Sequence, residues 1–229
     1  MNFTETHSKS VPSSIEEEFR SVVLNQQYPC LGAKAAFNTN VYRMGYYNEL
    51  GSTEAAETMA PDLHNFIAER ETLDSNFTTF VAIFEQPRSM EEKRFEKLLW
   101  QQLSVLHRLD DQPWDSSVSH DPDSKEFGFS FAKTAFFIIG LHANSSRLAR
   151  RFTNPALVFN LHSQFDILKA EGKYQKMRKV IRERDQSLQG QINPMAADFG
   201  TITEARQYSG RKVSSAWKCP FLHKDNRDE

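Results

Sequence analysis

Phe77 to Phe84, FTTFVAIF, constrains the fold more than any other stretch of the chain. Its apolar residues fall on both alternating faces, so as a strand it has no side to turn to water. Such a strand belongs inside a sheet that is covered on both faces, not at an edge. Pro87 ends it. Phe127, Phe129 and Phe131 alternate with small residues and predict a half-buried strand; Thr134 to Leu141 predicts a buried one, the two forming a hairpin. Residues 30–43 read mostly as a further strand, after a turn containing Gly32. The expected class is α+β: a mainly antiparallel central sheet flanked by helices, with an irregular C-terminal tail wrapped over the domain.

The helices follow from period and caps. Ser14-Ile15-Glu16-Glu17 has the form of a capping box ahead of Ile15, Phe19, Val22 and Val23 on one face. Ala56, Met59, Leu63, Phe66 and Ile67 recur at helical spacing, with Pro61 inside the run able to split it into two short helices. Ser89 and Glu92 form another capping box before Phe95, Leu98, Leu99, Leu103 and Leu106, the best amphipathic helix in the chain. Asn154-Pro155 reads as an N-cap and first helical residue for a helix with Leu157, Leu161, Phe165 and Leu168 on one face. After Gly172 a narrower stripe continues through Tyr174, Met177, Ile181 and Leu188. Around it lie Lys173, Lys176, Arg178, Lys179, Arg182 and Arg184, a pattern read first as a solvated helix face and second as a nucleic-acid surface.

Asp110 to Lys125 is a long polar loop, and long loops are often functional. Met195 to Phe221 lacks periodicity but carries Phe199, Tyr208, Trp217 and Phe221 as anchors. With 229 residues and 18 phenylalanines the chain can bury a sizeable core. Its net charge of −2 gives no general pull towards nucleic acid. It has no apolar run of spanning length, and residues 1–13 lack the form of a signal peptide, so a cytoplasmic protein with no membrane partner is expected. Cys30 and Cys219 each touch a proline; they read as small buried hydrophobes or, more sharply, as thiolate ligands.

Standard sites are missing: no Walker or Rossmann phosphate loop, no HExxH, no CxxC, no GxSxG. Ser145-Ser146 near His142 has no nucleophile elbow, and Asp198-Phe199-Gly200 lacks the rest of the kinase set. The densest chemistry lies in Ala135 to Phe165, where two histidines and three arginines sit amid apolar runs. A haem pocket needs an axial ligand, apolar walls and cations for two propionates. His142 and His162 can supply the first, the phenylalanines the second, and Arg147, Arg150 and Arg151 the third. The plainer alternative is that His142 ends a buried strand, His162 bonds a backbone carbonyl and the arginines make surface ion pairs.

Several longer runs carry a resemblance. They are Tyr28-Pro29-Cys30-Leu31-Gly32-Ala33-Lys34, Gly140-Leu141-His142 with Ser145-Ser146-Arg147 and Ala149-Arg150-Arg151, and Phe159-Asn160 with His162 and Gln164-Phe165. Further along come Arg184-Asp185, Leu188-Gln189-Gly190 with Asn193-Pro194, Gln207-Tyr208-Ser209-Gly210-Arg211, and Trp217-Lys218-Cys219-Pro220-Phe221. Together they resemble the YqcI/YcgG family from about residue 28 to 221. The resemblance implies a single domain over residues 14–223; the polar residues 1–13 read as a loose tail and the charged 224–229 as a frayed end.

Members with an assigned role resemble haem-dependent N-oxygenases that hydroxylate a guanidine or amine nitrogen of arginine or a related small molecule. The resemblance therefore implies haem b, dioxygen, an electron-donor reductase and a small guanidino or amino substrate. It makes His162 the first choice for axial ligand, His142 the second and Cys219 the third, with Arg147, Arg150 and Arg151 for the propionates. Asp121, Asp123, Asp198 and Glu204 are the carboxylates offered to a cationic substrate. Two other readings stand beside this one: a haem-binding protein without turnover, and a haem-free binding or stress-response protein. Oligomeric state is left open.

Overall fold

The doubly apolar stretch forms the strand that its pattern demands: β2 (Thr79–Gln86) is buried at every position from Thr79 to Phe84. The computed structural model describes residues 9–73, 75, 77–196 and 201–223. The other strands are β1 (Tyr42–Glu49), β3 (Phe129–Phe131), β4 (Thr134–Leu141) and β5 (Ala156–Leu161). They make one sheet in the order β1-β2-β5-β4-β3. β1 and β2 are parallel, joined by a crossover that contains α3 (Thr53–Glu69), as parallel neighbours require. The remaining three pairings are antiparallel. The class is α+β with a mixed, mostly antiparallel sheet. Ala132 and Lys133 turn the β3–β4 hairpin with φ of +47° and +57°, the positive-φ pair that matches the twist of a tight hairpin.

Alternation along the strands sorts side chains into two cores. On one face Phe80, Ala82, Phe84, Phe136, Ile138, Leu157 and Phe159 meet Met59 and Leu63 of α3 and Phe95, Leu99 and Trp100 of α4 (Glu92–Leu109). On the other, Val81, Ile83, Leu141, Ala156 and Val158 meet Phe19 and Val23 of α1 (Ser13–Leu24) and Phe37 of α2 (Leu31–Asn38). Each such large side chain contributes about 1.5–3 kcal/mol by leaving water. The rest of this second face is covered by α5 (His162–Ala170) and α6 (Tyr174–Gln189). α7 (Ala205–Tyr208) sits against β4, and Phe221 enters the first core beside Trp100. Among the described residues, no helix is long and apolar enough to cross a membrane.

Local expectations fail in five places, each for a physical reason. Residues 31–38 are helix α2, not strand: Ala33, Ala35 and Ala36 favour helix, and Cys30 supplies the cap. Residues 156–161 are strand β5, not the first turns of a helix; a short run that is apolar at nearly every position does not distinguish the two by period. Asn154 spans to β2 instead of capping, its Nδ2 donating to the Phe84 carbonyl at 3.0 Å. Neither capping box forms, since α1 starts at Ser13 behind Pro12 and α4 at Glu92 behind Glu91. Pro61 lies inside one unbroken α3, on its exposed side, where water can satisfy the carbonyl that proline leaves unpaired.

Candidate functional site

The second face of the sheet does not close completely. Between β2, β5 and β4 below and α2, α5 and α6 above lies a cavity of about 250 Å³. The cavity opens to solvent. The floor is set by strand register: Thr79, Asn160 and Phe137 are cross-strand partners and all three line it. Phe77, Phe165, Leu168, Met177 and Ile181 complete a largely apolar wall. This is the usual make-up of a small-molecule site, with polar groups few and placed.

Cys30 is one of those groups. It is the N-cap of α2, and its Sγ accepts from the Ala33 N–H at 3.4 Å. Burial pushes its thiol pKa up. The N–H groups of Ala33 and Gly32 and the Arg150 guanidinium act in the opposite direction, favouring thiolate. Arg150 itself is anchored on main-chain carbonyls, donating to Gly140 at 3.1 Å, Gln207 at 3.3 Å and Tyr208 at 3.4 Å. Gly210 is needed there: at φ +79° a Cβ would come within 3.1 Å of Arg150 Cγ.

Arg147, 7% exposed, lines the same cavity and pairs with the buried Asp185 of α6. Asp185 also accepts the Asn193 N–H at 2.6 Å. The other guanidinium nitrogen of Arg147, Nη1, is buried without a hydrogen-bond partner. Such an orphaned donor is costly unless something accepts from it. Arg182 adds a third cation to the lining, and Asp185 is the one carboxylate among the described lining residues.

The remaining expected site residues lie elsewhere. His162 opens α5 but faces away: its Nε2 is 2.9 Å from both Glu204 carboxylate oxygens. Glu204 also accepts the Tyr208 hydroxyl at 2.6 Å, and the whole group is buried. His142, 1% exposed, directly follows β4 and stacks on Phe95 at 4.4 Å, on the α4 side of the sheet. Both its ring nitrogens lack hydrogen-bond partners, and burial lowers its pKa against the pull of Glu92. Arg151 is exposed and donates to the Ser145 carbonyl at 2.8 Å.

Cys219 borders a separate surface pocket with Asp123, its thiol pushed up to about 12 by burial. Asp121 and Asp123 are exposed loop residues, Asp121 accepting the N–H of Asp123 at 3.0 Å. Asp198 lies outside the described residues. Among the described residues, no group of three or more His, Cys, Asp or Glu is arranged to hold a metal ion. Two sulfur-bearing side chains line the cavity, Cys30 and Met177.

The YqcI/YcgG family model matches residues 19–222. The chain belongs to the YqcI/YcgG family. Two relatives come from Bacillus subtilis (strain 168). The uncharacterized protein YcgG is 26% identical over 210 residues, covering 87% of this chain and 82% of YcgG. The uncharacterized protein YqcI is 25% identical over 206 residues, covering 87% of this chain and 77% of YqcI. No solved structure matches the chain. The cavity draws on several of the runs that carry the resemblance, through Cys30, Arg147, Arg150, Asn160, Gln164 and Asp185.

Cys30, Asp185, Asn160 and Gln164 are cavity residues that sequence reasoning did not choose as site residues. For Asn160 and Thr79 the signal was present, as polar residues on an otherwise buried strand face. Cys30 was legible as a possible thiolate ligand, but reading residues 30–43 as a strand did not bring it to this cavity.

Proposed function

We propose that this YqcI/YcgG protein is a haem-dependent N-oxygenase, hydroxylating a guanidine or amine nitrogen of arginine or a related small molecule. One observation carries the proposal: a single cavity brings together a cysteine sulfur, an aromatic and aliphatic wall, and three arginines. Those match the needs of a haem site, which are one axial donor, apolar faces for the macrocycle and cations for its propionates. A tetrapyrrole is larger than the 250 Å³ interior and would have to extend into the open mouth.

Haem in this cavity would supply dioxygen activation, drawing electrons from a reductase partner. The chain's own residues do the rest. Arg147, Arg150 and Arg182 place positive charge where carboxylates enter. Phe77, Phe137 and Phe165 keep water from the interior, and Asp185 offers the carboxylate that a guanidinium requires. The proposal places the protein in the cytoplasm, without a nucleic-acid or membrane partner, and with its C-terminal segment wrapped over the domain as an irregular tail.

The test has two stages. Purified protein, or protein reconstituted with haemin, is scanned for a Soret band; then it is given reductant, oxygen and a panel of guanidino compounds. A Soret band with a hydroxylated product supports the enzyme. A band without any product leaves a haem-binding protein, and no band rules out both.

A further inference from the structure

We propose that Cys30 Sγ is the protein's bond to the haem iron, and that Arg147 Nη1 anchors a carboxylate of the same cofactor. The inference rests on the haem reading and goes beyond it by naming the ligand, which the sequence alone placed first on His162.

Four observations meet at Cys30. It lines the cavity, whereas His162 and His142 do not. It caps an eight-residue helix, so the partial positive charge of that N-terminus and the Ala33 N–H face the sulfur. Arg150 lines the same cavity and brings a guanidinium charge into that wall. Finally, Arg147, more than nine-tenths buried in the same wall, has a donor atom with nothing to donate to. That last group points to a ligand independently of the cysteine: an acceptor belongs beside it, and a propionate oxygen is one.

The histidines are differently committed. The Nε2 of His162 faces the Glu204 carboxylate, which does not line the cavity, and releasing it would leave buried Glu204 with the Tyr208 hydroxyl alone. His142 is packed flat against Phe95 on the opposite face of the sheet. On coordination the S–H bond breaks, its proton passes to solvent, and the sulfur electron pair forms the Fe–S bond; no change in oxidation state is involved. Thiolate binding is therefore coupled to proton release.

The experiment uses the full chain loaded with haemin and reads ferric and ferrous–CO absorption and electron paramagnetic resonance. The wild-type protein is expected to show a thiolate spectrum, with the ferrous–CO Soret band shifted to the red of an imidazole-ligated haem. Cys30→Ala removes that signature with circular dichroism unchanged, and Cys30→His gives an imidazole-type spectrum, a gain that a merely structural cysteine would not produce. Arg147→Gln keeps the thiolate spectrum but weakens haem binding on the order of tenfold, the loss of one charge-assisted hydrogen bond.

A Soret band that survives Cys30→Ala unchanged and disappears in His162→Ala would overturn the assignment while leaving haem binding intact. No Soret band in the wild type would overturn the haem reading itself, so the two failures are distinct.

Discussion

His162 places its Nε2 2.9 Å from both carboxylate oxygens of Glu204, and that carboxylate in turn accepts the Tyr208 hydroxyl at 2.6 Å. The histidine that opens α5 is thus tied to the segment that leads into α7. Removing one partner of a buried pair leaves the other stranded. His162→Ala should cost about 3 kcal/mol, the low end for such a loss because Tyr208 still donates to Glu204. For a chain of this size that lowers Tm by roughly 6–12 °C. Thermal melts check it, and under the Cys30 assignment the haem spectrum stays unchanged.

Helix α6 is held differently. Asp185 is its one buried residue, so the helix is pinned by the pair with Arg147 more than by apolar packing. Asp185→Asn should loosen residues 174–189 selectively. Hydrogen exchange is the measurement: amide protection in α6 should drop while that in β2 stays unchanged. Equal loss in both would mean that the pair supports the whole domain and not the helix alone.

His142 gives a pH dependence with a definite sign. Burial against Phe95 lowers its folded pKa below the ordinary 6.5. Between the folded and the unfolded pKa, the unfolded chain therefore binds a proton that the folded chain does not. Stability then rises with pH, and it is lost as pH falls below about 6.5 towards the folded value. Chemical denaturation at several pH values should show this slope, and His142→Phe should flatten it.

Gly140 occupies a position where a side chain has no room. A Cβ there would meet Phe95 Cε1 at 2.6 Å and Leu99 Cδ1 at 2.9 Å. Gly140→Ala should push α4 off the sheet and cost about 1–3 kcal/mol, measurable as a lower denaturation midpoint.

The sheet was legible because its information is local. FTTFVAIF has apolar residues on both faces, and 127–141 carries the alternation of a hairpin, so β2, β3 and β4 follow from side-chain period alone. Residues 31–38 and 156–161 were read the wrong way round because short apolar runs support either period, and only the tertiary partner decides. The site was less legible for the same reason. Arg147 and Arg150 stood out as cations among apolar runs and do line the cavity. Which histidine or cysteine joins them depends on which face of the sheet each reaches. His142 and Ile139 are three residues apart, yet one packs against α4 and the other lines the cavity. Cys30 reaches that cavity because residues 31–38 are helical and it is their cap.

Haemin titration into the purified protein, followed at the Soret band, tests the central proposal most directly. The expected result is a saturable band at about one haem per chain, weakened by Arg147→Gln and changed in character by Cys30→His. A spectrum no different from free haemin at every ratio would contradict it.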